Sequence, residues 1–477
     1  MSYTTLDDLN QLSINDIHLG FKNYINPGQV NLLASFGAGQ ARPISASGLN
    51  VKLNDGRVIK DFTGGIGVLN LGHNHEDIVN AQLEYMKSGA MEVHKSFFNP
   101  ALPLLSQKLI EMSGIEAAKV YLSNSGAEAV ECALKLCFKY FKGKRHAAIT
   151  ANDAFHGKLL GAGGFTTSPE KNFSFPTIPG IYRVDFNETA QQVTNALEGL
   201  RVSSTSEHGG LYCVLLEAFS ASNCKARNKD VLRAVRVFCD DNRIPLIFDE
   251  VYTGLGKTGA NFSFSDLDIL PDVLCVSKSL GGGKSTLAAV VAADYLFDGA
   301  YGKSLSDSLI HSSTFNAFGI ECFTALRSLE ILEKFKLVAR SKEIGQKFSK
   351  WANDFVPNSK LVSEVRGSGC LYGLVFDKQY LSIVSPFLRY IPAKTLSDPR
   401  FIDKLIASSV SNYLFNKHDI LTYFGLNQQI PLKFAPSLVA TDDDVDLFCN
   451  AIVQAEKVGV TSLVADFIAS RLGFKSV

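Results

Sequence analysis

The sequence predicts an α/β fold in which helices cover both faces of a largely parallel central sheet. Six short apolar runs of β-type residues occupy the middle of the chain, with helical patterns between several of them: Lys119–Leu122, Ala147–Thr150, Leu211–Leu216, Pro245–Phe248, Val273–Val276 and Ala288–Ala292. Strands buried on both faces are nearly continuously apolar, and such burial is typical of parallel sheets. Ligands bind beyond the carboxyl ends of such strands, so the residues after each run are the candidates for function.

The composition is that of an ordinary globular protein without excess charge. Of the 477 residues, 46% are hydrophobic and 20% are charged. Lys plus Arg equal Asp plus Glu at 47 each, so the chain lacks the basic character expected of a nucleic-acid-binding protein. It shows no secretory signal pattern and no run of the roughly 18 apolar residues that cross a membrane. A cytoplasmic protein without nucleic-acid or membrane partners is therefore expected.

The nine cysteines favour buried free thiols. Their number is odd, no Cys-x-x-Cys pair occurs, and most lie in apolar surroundings such as Leu-Tyr-Cys213-Val-Leu. This pattern gives little support to a disulfide framework or a zinc site and is typical of a reducing compartment.

Three stretches of the chain differ in pattern. Residues 1–62 end in a hairpin, because an Asn-Asp-Gly turn separates two alternating runs. Residues 63–330 hold the six apolar runs and are expected to form a large domain with the ligand site. A long helical pattern covers 325–350. Residues 331–477 then contain a predicted strand over Val-Arg366-Gly-Ser-Gly-Cys-Leu-Tyr-Gly-Leu-Val-Phe and end in a pair of helices. Together with the N-terminal hairpin they are expected to form a smaller α/β domain.

Small residues open a helix after the first apolar run. Ser125, Gly126 and Ala127 precede a helical pattern with apolar residues along one face. The free N–H groups and the positive dipole end of a helix start suit an anion such as phosphate. A simple N-cap by Ser125 is the alternative.

Aromatic and acidic residues follow two further runs. Phe155 and His156 come after the second run, where an aromatic ring can lie against a flat ligand or simply belong to the core. Asp249 and Glu250 come at the end of the fourth run and are expected to be exposed to the ligand crevice. A carboxylate there can pair with a cationic ring nitrogen, bind a metal or be solvated.

Lys278 follows the fifth run and precedes a Ser-Leu-Gly-Gly-Gly stretch. A lysine in apolar surroundings has its charged form disfavoured, so its amine can act as a nucleophile; a surface lysine before a turn is the alternative. An anion cradle, a stacking aromatic, an acid and a reactive amine are together what pyridoxal 5'-phosphate requires for its phosphate, ring, ring nitrogen and aldehyde.

The same stretches resemble the class III, or ω-type, aminotransferases of the fold type I pyridoxal-phosphate enzymes. The resemblance covers roughly residues 25–460. The motifs occur in the family's order and spacing: Asn70–His75, Ser123–Glu131, Ala154–Gly157, Leu246–Gly259, Ser277–Gly283 and His311–Phe315. The resemblance implies an enzyme that moves an amino group between an amino donor, either an amine or an amino acid, and an aldehyde or keto acceptor.

The resemblance also implies roles around the cofactor ring. Lys278 would hold pyridoxal phosphate as a Schiff base and later move the proton, and Asp249 would face the pyridine nitrogen. Val251 and Phe155 would sandwich the ring, and His156 would lie beside the cofactor.

Further residues are implied at the phosphate and at the edge of the site. Ser125, Gly126 and Ala127 would take the phosphate, and Glu217, which follows the third run, would lie near the cofactor pocket. Thr314 matches a threonine that reaches the phosphate in the partner subunit, so a homodimer with shared active sites is implied.

The chain departs from the family pattern at three positions. Tyr252 stands where a glutamine usually bonds near the ring hydroxyl. Ser222 replaces a second acid, and Lys433 stands where an arginine usually precedes an Ala-Pro-Pro-like stretch. Because both members of the acid–arginine pair are absent, weak discrimination for α-carboxylates is expected at this spot; binding of the carboxylate by Lys433 or by a displaced arginine is the alternative.

Other functions are less well supported. Gly281-Gly-Gly-Lys-Ser-Thr resembles a P-loop, but that pattern needs a glycine where Lys278 stands. His73 and His75 lack a third metal ligand, and the three acids 442–444 fit a capped helix start better than a metal site. A non-catalytic homologue would lack the amine or the acid, and both are present. A racemase, aminomutase or decarboxylase on the same scaffold remains the alternative, because these enzymes share the first steps.

Overall fold

The strands form one large sheet and three smaller ones. The computed structural model describes residues 4–35, 38–92, 96–167, 177–302, 304–308, 311–376, 398–425, 427 and 429–472. The strands are β1 Pro43–Ser47, β2 Asn50–Leu53, β3 Val58–Asp61, β4 Ala118–Ser123, β5 Ala147–Ala151, β6 Ile181–Val184, β7 Leu211–Leu216, β8 Phe219–Ser220, β9 Lys225–Ala226, β10 Leu246–Asp249, β11 Val273–Val276, β12 Ala288–Ala293, β13 Val362–Ser368, β14 Leu371–Phe376, β15 Ile420–Leu421 and β16 Leu432–Phe434.

The helices are distributed along the whole chain. They are α1 Leu6–Gln11, α2 Ile14–Gly20, α3 Pro27–Ser35, α4 Gly64–Gly67, α5 Glu76–Lys87, α6 Ala101–Ser113, α7 Gly126–Tyr140, α8 Leu160–Phe165, α9 Ala190–His208, α10 Lys229–Asn242, α11 Asp294–Phe297, α12 Gly319–Lys334, α13 Leu337–Phe355, α14 Phe401–His418, α15 Asp442–Val458 and α16 Val460–Leu472. Across the described ranges, no helix combines the length and the apolarity that a membrane crossing requires.

The large sheet has seven strands in the order β4-β12-β11-β10-β7-β5-β6. Strand β12 runs antiparallel to both of its neighbours, and the other pairings are parallel. The predicted largely parallel sheet is therefore confirmed, and so are all six predicted strands. The sequence reading missed β6, a short edge strand interrupted by an arginine.

Helices cover both faces of this sheet. Alternate residues of a strand point to opposite faces, so Phe248 packs into one hydrophobic cluster and Ile247 into another. The first cluster includes Val193 of α9 and Val235 of α10, and the second includes Val130 of α7. Burial on both faces explains why the strands are apolar throughout.

Smaller sheets combine distant parts of the chain. Strands β2 and β3 form the predicted antiparallel hairpin, and β15 adds to β3 in parallel. A second sheet has the order β13-β14-β16. The division into residues 1–62, 63–330 and 331–477 stays a prediction, and α12 runs across its second boundary.

The structure corrects one prediction about the helices and confirms two other predictions. The helical pattern over 325–350 is two helices, because Lys336 adopts a left-handed conformation with φ of 51° between α12 and α13. Helix α15 begins with a capping box in which Thr441 accepts from the Asp444 N–H, as the acidic helix start predicted. All nine cysteines are buried free thiols, also as predicted.

Candidate active site

The candidate residues meet at the carboxyl edge of the large sheet. Asp249 is the last residue of β10, and Glu217 directly follows β7. His156 lies after β5, and Lys278 lies two residues beyond β11. Parallel strands end at one edge, so residues far apart in sequence become neighbours there.

The Asp249 carboxylate is held from two sides. Its Oδ2 lies 2.8 Å from His156 Nδ1, and its Oδ1 accepts a hydrogen bond of 2.9 Å from the Val251 N–H. Both Asp249 and His156 are buried, and His156 Nε2 has no hydrogen-bond partner among the described residues. The imidazole therefore fixes the orientation of a carboxylate that has little contact with solvent.

Glu250 does not share this site. It is 1% exposed, and its carboxylate accepts hydrogen bonds from the Thr253 hydroxyl and from the Ser263 hydroxyl and N–H. Burial raises the pKa of Glu250 to about 7. The expectation that both acids are exposed to a crevice is wrong: the two side chains are buried among different partners, and only Asp249 contacts His156.

Lys278 has an unusual backbone and a partly buried side chain. Its φ of 49° is in the left-handed region, which is uncommon for a residue with a side chain. Burial lowers the pKa of the Lys278 ammonium, while the charges of Asp249 and Glu217 act in the opposite direction. Its Nζ lies 4.7 Å from the centroid of the Tyr252 ring. A lowered pKa increases the share of the neutral, nucleophilic amine.

Glu217 ties two loops of the site together. Its Oε2 accepts a hydrogen bond of 3.2 Å from the Phe155 N–H, and its Oε1 accepts one of 3.1 Å from the Ala221 N–H. Burial raises the pKa of Glu217 to about 7, with an opposing contribution from His156.

The start of helix α7 is shaped for an anion. Ser125 is the N-cap of α7 and forms a capping box with Glu128. The Ser125 hydroxyl caps the Glu128 N–H, and the N–H groups of Gly126 and Ala127 lie in the first turn, where a helix leaves N–H groups without a partner of its own. A Cβ atom at Gly126 would lie 2.6 Å from Val251 Cγ1, so only glycine lets the helix start approach Val251 this closely.

Tyr252 is engaged with a second tyrosine. The phenol oxygens of Tyr252 and Tyr423 lie 2.5 Å apart, and burial raises the pKa of both phenols. The two rings belong to a small hydrophobic cluster with Phe219 and Cys224. The Tyr252 phenol is thus already hydrogen-bonded within the protein.

Lys433 has three partners for its three N–H bonds. Its Nζ lies 2.6 Å from the Ala221 carbonyl oxygen, 2.8 Å from that of Ser222 and 2.9 Å from Cys224 Sγ. The residue is 2% exposed. The side chain of Lys433 is therefore used to hold the loop that contains Ser222.

Thr314 lies apart from the Asp249–His156 pair, in an exposed segment. Its neighbours are fixed to the start of α7, since Ser313 Oγ donates to Asn124 Oδ1 over 2.8 Å. Thr314 lines a cavity of about 390 Å³ together with Phe97 and Phe98. Among the described residues, no hydrogen bond joins Thr314 to the lysine or the acid of the site.

Sequence reasoning missed three contributors. Tyr423, Cys224 and the buried Asp153–Arg227 ion pair beside the Phe155 loop carry no local motif. Only the pairing of β15 with β3 and the short β8–β9 hairpin bring the first two to the site. A buried arginine next to a buried acid is visible only once the strands are placed.

The site's chemistry fits pyridoxal 5'-phosphate. A partly buried amine with a lowered pKa suits its aldehyde, and a buried carboxylate held by His156 suits its ring nitrogen. The start of helix α7 suits the phosphate of the cofactor. Because Gly126 has no Cβ, this helix start also lies close to Val251, which suits the edge of the cofactor ring.

Comparison with known proteins agrees with this chemistry. The family model "Aminotransferase class-III" matches residues 40–455. An acetylornithine aminotransferase from Methanocaldococcus jannaschii is 31% identical over 419 residues, which cover 86% of this chain and 92% of that protein. Aminotransferase PigE from a Serratia species is 28% identical over 432 residues, but these span only 49% of PigE.

Solved structures share the fold. The ornithine aminotransferase of Toxoplasma gondii superposes with a TM-score of 0.75 at 21% identity, over 99% of this chain and 100% of that one. A transaminase from the marine bacterium Virgibacillus gives a TM-score of 0.78 at 20% identity, over 94% and 98%. The fold is therefore that of fold type I aminotransferases, and the chain belongs to the pyridoxal-phosphate-dependent class III aminotransferase family.

Proposed function

We propose that this aminotransferase binds its cofactor covalently through Lys278 and transfers an amino group from an amine or amino acid to an aldehyde or keto acid. The observation that carries the proposal is the Lys278 amine itself. It sits at a strand end in a left-handed backbone conformation, and burial lowers its pKa. Among the described residues, no other lysine lies just beyond a strand of the large sheet with Asp249 and Glu217 acting on its amine.

Pyridoxal phosphate supplies an aldehyde that takes up amino groups and a ring that accepts electrons. Asp249 would keep the ring nitrogen protonated, and His156 would hold the Asp249 carboxylate in place over the 2.8 Å contact. Val251 and Phe155 would confine the ring, because Val251 packs against the helix start and Phe155 is fixed by its N–H bond to Glu217.

The remaining cofactor contacts are proposed at the phosphate and the ring hydroxyl. The Ser125 hydroxyl and the first-turn N–H groups of Gly126 and Ala127 would bind the phosphate, since the Ser125 N–H is bonded to the Glu128 carboxylate. Tyr252 would offer its phenol near the ring hydroxyl, where the family usually has glutamine.

Proton transfer is assigned to Lys278 Nζ. A neutral amine can take a proton from a substrate carbon and deliver it to the cofactor, and burial, which lowers the pKa of Lys278, favours that neutral form. Asp249 and Glu217 are the charged groups near enough to influence that equilibrium. Glu217 also orders the Phe155 loop, so that the catalytic amine and the ring-stacking residue are positioned together.

We further propose that the enzyme is a homodimer with shared sites and is cytoplasmic. Phe97 and Phe98, which line the same cavity as Thr314, are 64% and 102% exposed, and Phe315, the next residue in sequence, is 63% exposed. A second copy would cover these rings and bring Thr314 to the partner subunit's phosphate. The nine free thiols support a reducing compartment.

Borohydride reduction of the enzyme followed by peptide mapping tests the main proposal. The pyridoxyl group is expected on Lys278. Two other lysines serve as internal controls: Lys284 in the glycine-rich stretch, and Lys257, which is buried and has its pKa lowered to about 8 by burial. A label on either of them, with Lys278 unmodified, would overturn the assignment.

A further inference from the structure

Three contacts fix the ring of Tyr252. The Lys278 Nζ lies 4.7 Å from the ring centroid, and the phenol oxygen lies 2.5 Å from that of Tyr423. Gly67 closes the third side: a Cβ added there would lie 3.0–3.1 Å from three atoms of the Tyr252 ring. The ring therefore has little freedom, and the Tyr423 phenol is the group that fixes its far end.

Tyr423 is itself held by two sheets. It lies two residues beyond β15, which pairs with β3, and its carbonyl oxygen accepts a hydrogen bond of 2.8 Å from the Lys433 N–H. Its neighbour Thr422 donates to the Lys433 carbonyl oxygen. Because its backbone is fixed in this way, Tyr423 can hold the Tyr252 ring in one orientation.

The charges around these groups favour a cation on the Tyr252 ring. The charges of Asp249 and Glu217 act on the Lys278 amine, and the charge of Asp61 acts on the two phenols. Burial raises the pKa of both phenols, so they stay neutral and keep their hydrogen bond. An aromatic face attracts an ammonium most strongly where water is excluded.

We propose that Tyr423 is a positioning residue for the catalytic amine: it fixes Tyr252, and the face of Tyr252 holds the Lys278 ammonium whenever that amine is free. The inference rests on the proposed function, because it takes Lys278 as the cofactor-binding lysine. The ring stabilises the charged form of the amine and so offsets part of the lowering of the Lys278 pKa that burial causes.

The test measures the protonation of Lys278 directly. The enzyme is loaded with pyridoxamine 5'-phosphate, which leaves the lysine amine free, and is briefly treated with acetic anhydride at a series of pH values. Mass spectrometry of the Lys278 peptide gives the pH midpoint of acetylation. Tyr252→Leu removes the aromatic face and is expected to lower this midpoint by about one pH unit.

Two conservative variants separate positioning from general loss of structure. Tyr423→Phe and Tyr252→Phe break the same hydrogen bond and keep both rings, so each is expected to lower the midpoint by the same smaller amount. The double variant Tyr252→Phe/Tyr423→Phe is expected to show no further shift, because a shared interaction is lost only once. Tyr372→Phe, which removes a hydroxyl bonded to the Gly345 carbonyl over 3.0 Å, is the matched control and should leave the midpoint unchanged.

An unchanged midpoint in Tyr252→Leu would overturn the role of the ring, and additive shifts in the double variant would overturn the route from Tyr423 through Tyr252. If Tyr252→Leu does not fold, the two phenylalanine variants still decide the second point. A failure of the proposed function is seen separately, as borohydride labelling at a lysine other than Lys278.

Discussion

At the scale of single residues, the surroundings of Lys433 bear on substrate choice. An arginine at this place could grip a carboxylate with two parallel hydrogen bonds, whereas a lysine offers one compact charge. Here the Lys433 ammonium already has two carbonyl oxygens and one sulfur atom around it. A substrate carboxylate would have to displace these partners from a side chain that is 2% exposed.

We therefore predict weak discrimination in favour of α-carboxylates at this position. Matched donors with and without the α-carboxylate are expected to differ less than tenfold in kcat/KM. Lys433→Met, which keeps the length and removes the charge, should leave that ratio unchanged while it lowers stability. A preference of about a hundredfold for the carboxylate-bearing donor, or roughly 2.7 kcal/mol, would contradict the prediction.

Glu217 predicts a pH dependence of stability. Its folded pKa of about 7 is above the usual value of 4.5, so the folded state favours the protonated form. The contribution is fully present below about pH 4.5 and is lost as the pH rises through about 7, with a magnitude on the order of 3 kcal/mol. Because glutamine does not ionise, Glu217→Gln removes this loss of stability at higher pH.

Urea unfolding at pH 5 and at pH 8 tests this prediction. The free energy of unfolding of the variant relative to that of wild type should increase between pH 5 and pH 8. The exposed Glu84→Gln should not, and an equal difference at both pH values for Glu217→Gln would refute the argument.

The residues that sequence reasoning found share one property: they follow strands. Asp249, Lys278 and Glu217 could be placed together because parallel strands end at the same edge. Tyr423 could not, since nothing in the sequence shows that its phenol meets Tyr252. The Phe-Ala-Pro stretch after Lys433 showed which residue stands at this position. The sequence did not show that two carbonyl oxygens and Cys224 Sγ already accept the hydrogen bonds of its ammonium.

At the scale of secondary structure, burial decided what could be predicted. The five inner strands β12, β11, β10, β7 and β5 are continuous apolar runs, and they and the edge strand β4 were located to within about one residue. Strand β6 lies at the edge, where only part of the surface is buried, and its pattern is weaker. The break between α12 and α13 depends on one left-handed lysine, which the apolar periodicity does not reveal.

The start of helix α7 gives a prediction at this scale. Gly126→Ala would place a methyl group 2.6 Å from Val251 Cγ1, so Val251 has to move away from the ring position proposed for it. Cofactor affinity, measured by absorbance titration, is expected to fall at least tenfold. The helix itself should tolerate alanine, which is a better helix former than glycine. Gly199→Ala, where nothing lies within 4 Å of the added Cβ, is the control and should leave affinity unchanged. Unaltered affinity in Gly126→Ala would contradict the proposed place of the ring.

At the scale of the whole molecule, the site draws on more than the large sheet. Tyr423 and Lys433 reach it from strands β15 and β16, which pair with β3 and β14. The partners β3 and β15 are separated by more than 350 residues of sequence, so no local pattern predicts their pairing. The smaller sheets therefore position Tyr423 and Lys433, while the large sheet carries most of the proposed cofactor residues.

The exposed aromatic residues near Thr314 predict that two copies complete each site. In a mixture of Lys278→Ala and Thr314→Asp proteins, a hybrid dimer would combine Lys278 of one subunit with Thr314 of the other and so contain one intact site. If subunits exchange freely, about half of the dimers are hybrids, and one of the two sites in each hybrid is intact. About a quarter of all sites are then intact, so such a mixture is expected to recover about a quarter of wild-type activity. Thr314→Asp is chosen because a carboxylate repels the phosphate it would face.

A matched mixture controls for other causes of recovery. Lys278→Ala and Asp249→Asn alter two residues that act in the same subunit, so their hybrids have no intact site and should stay inactive. Light scattering shows whether the protein is dimeric, and a tagged subunit shows whether exchange occurs. Exchange without recovery in the first mixture would contradict a shared site. Full activity in a monomer would contradict the dimer itself, since Thr314 would then have no partner subunit's phosphate to reach.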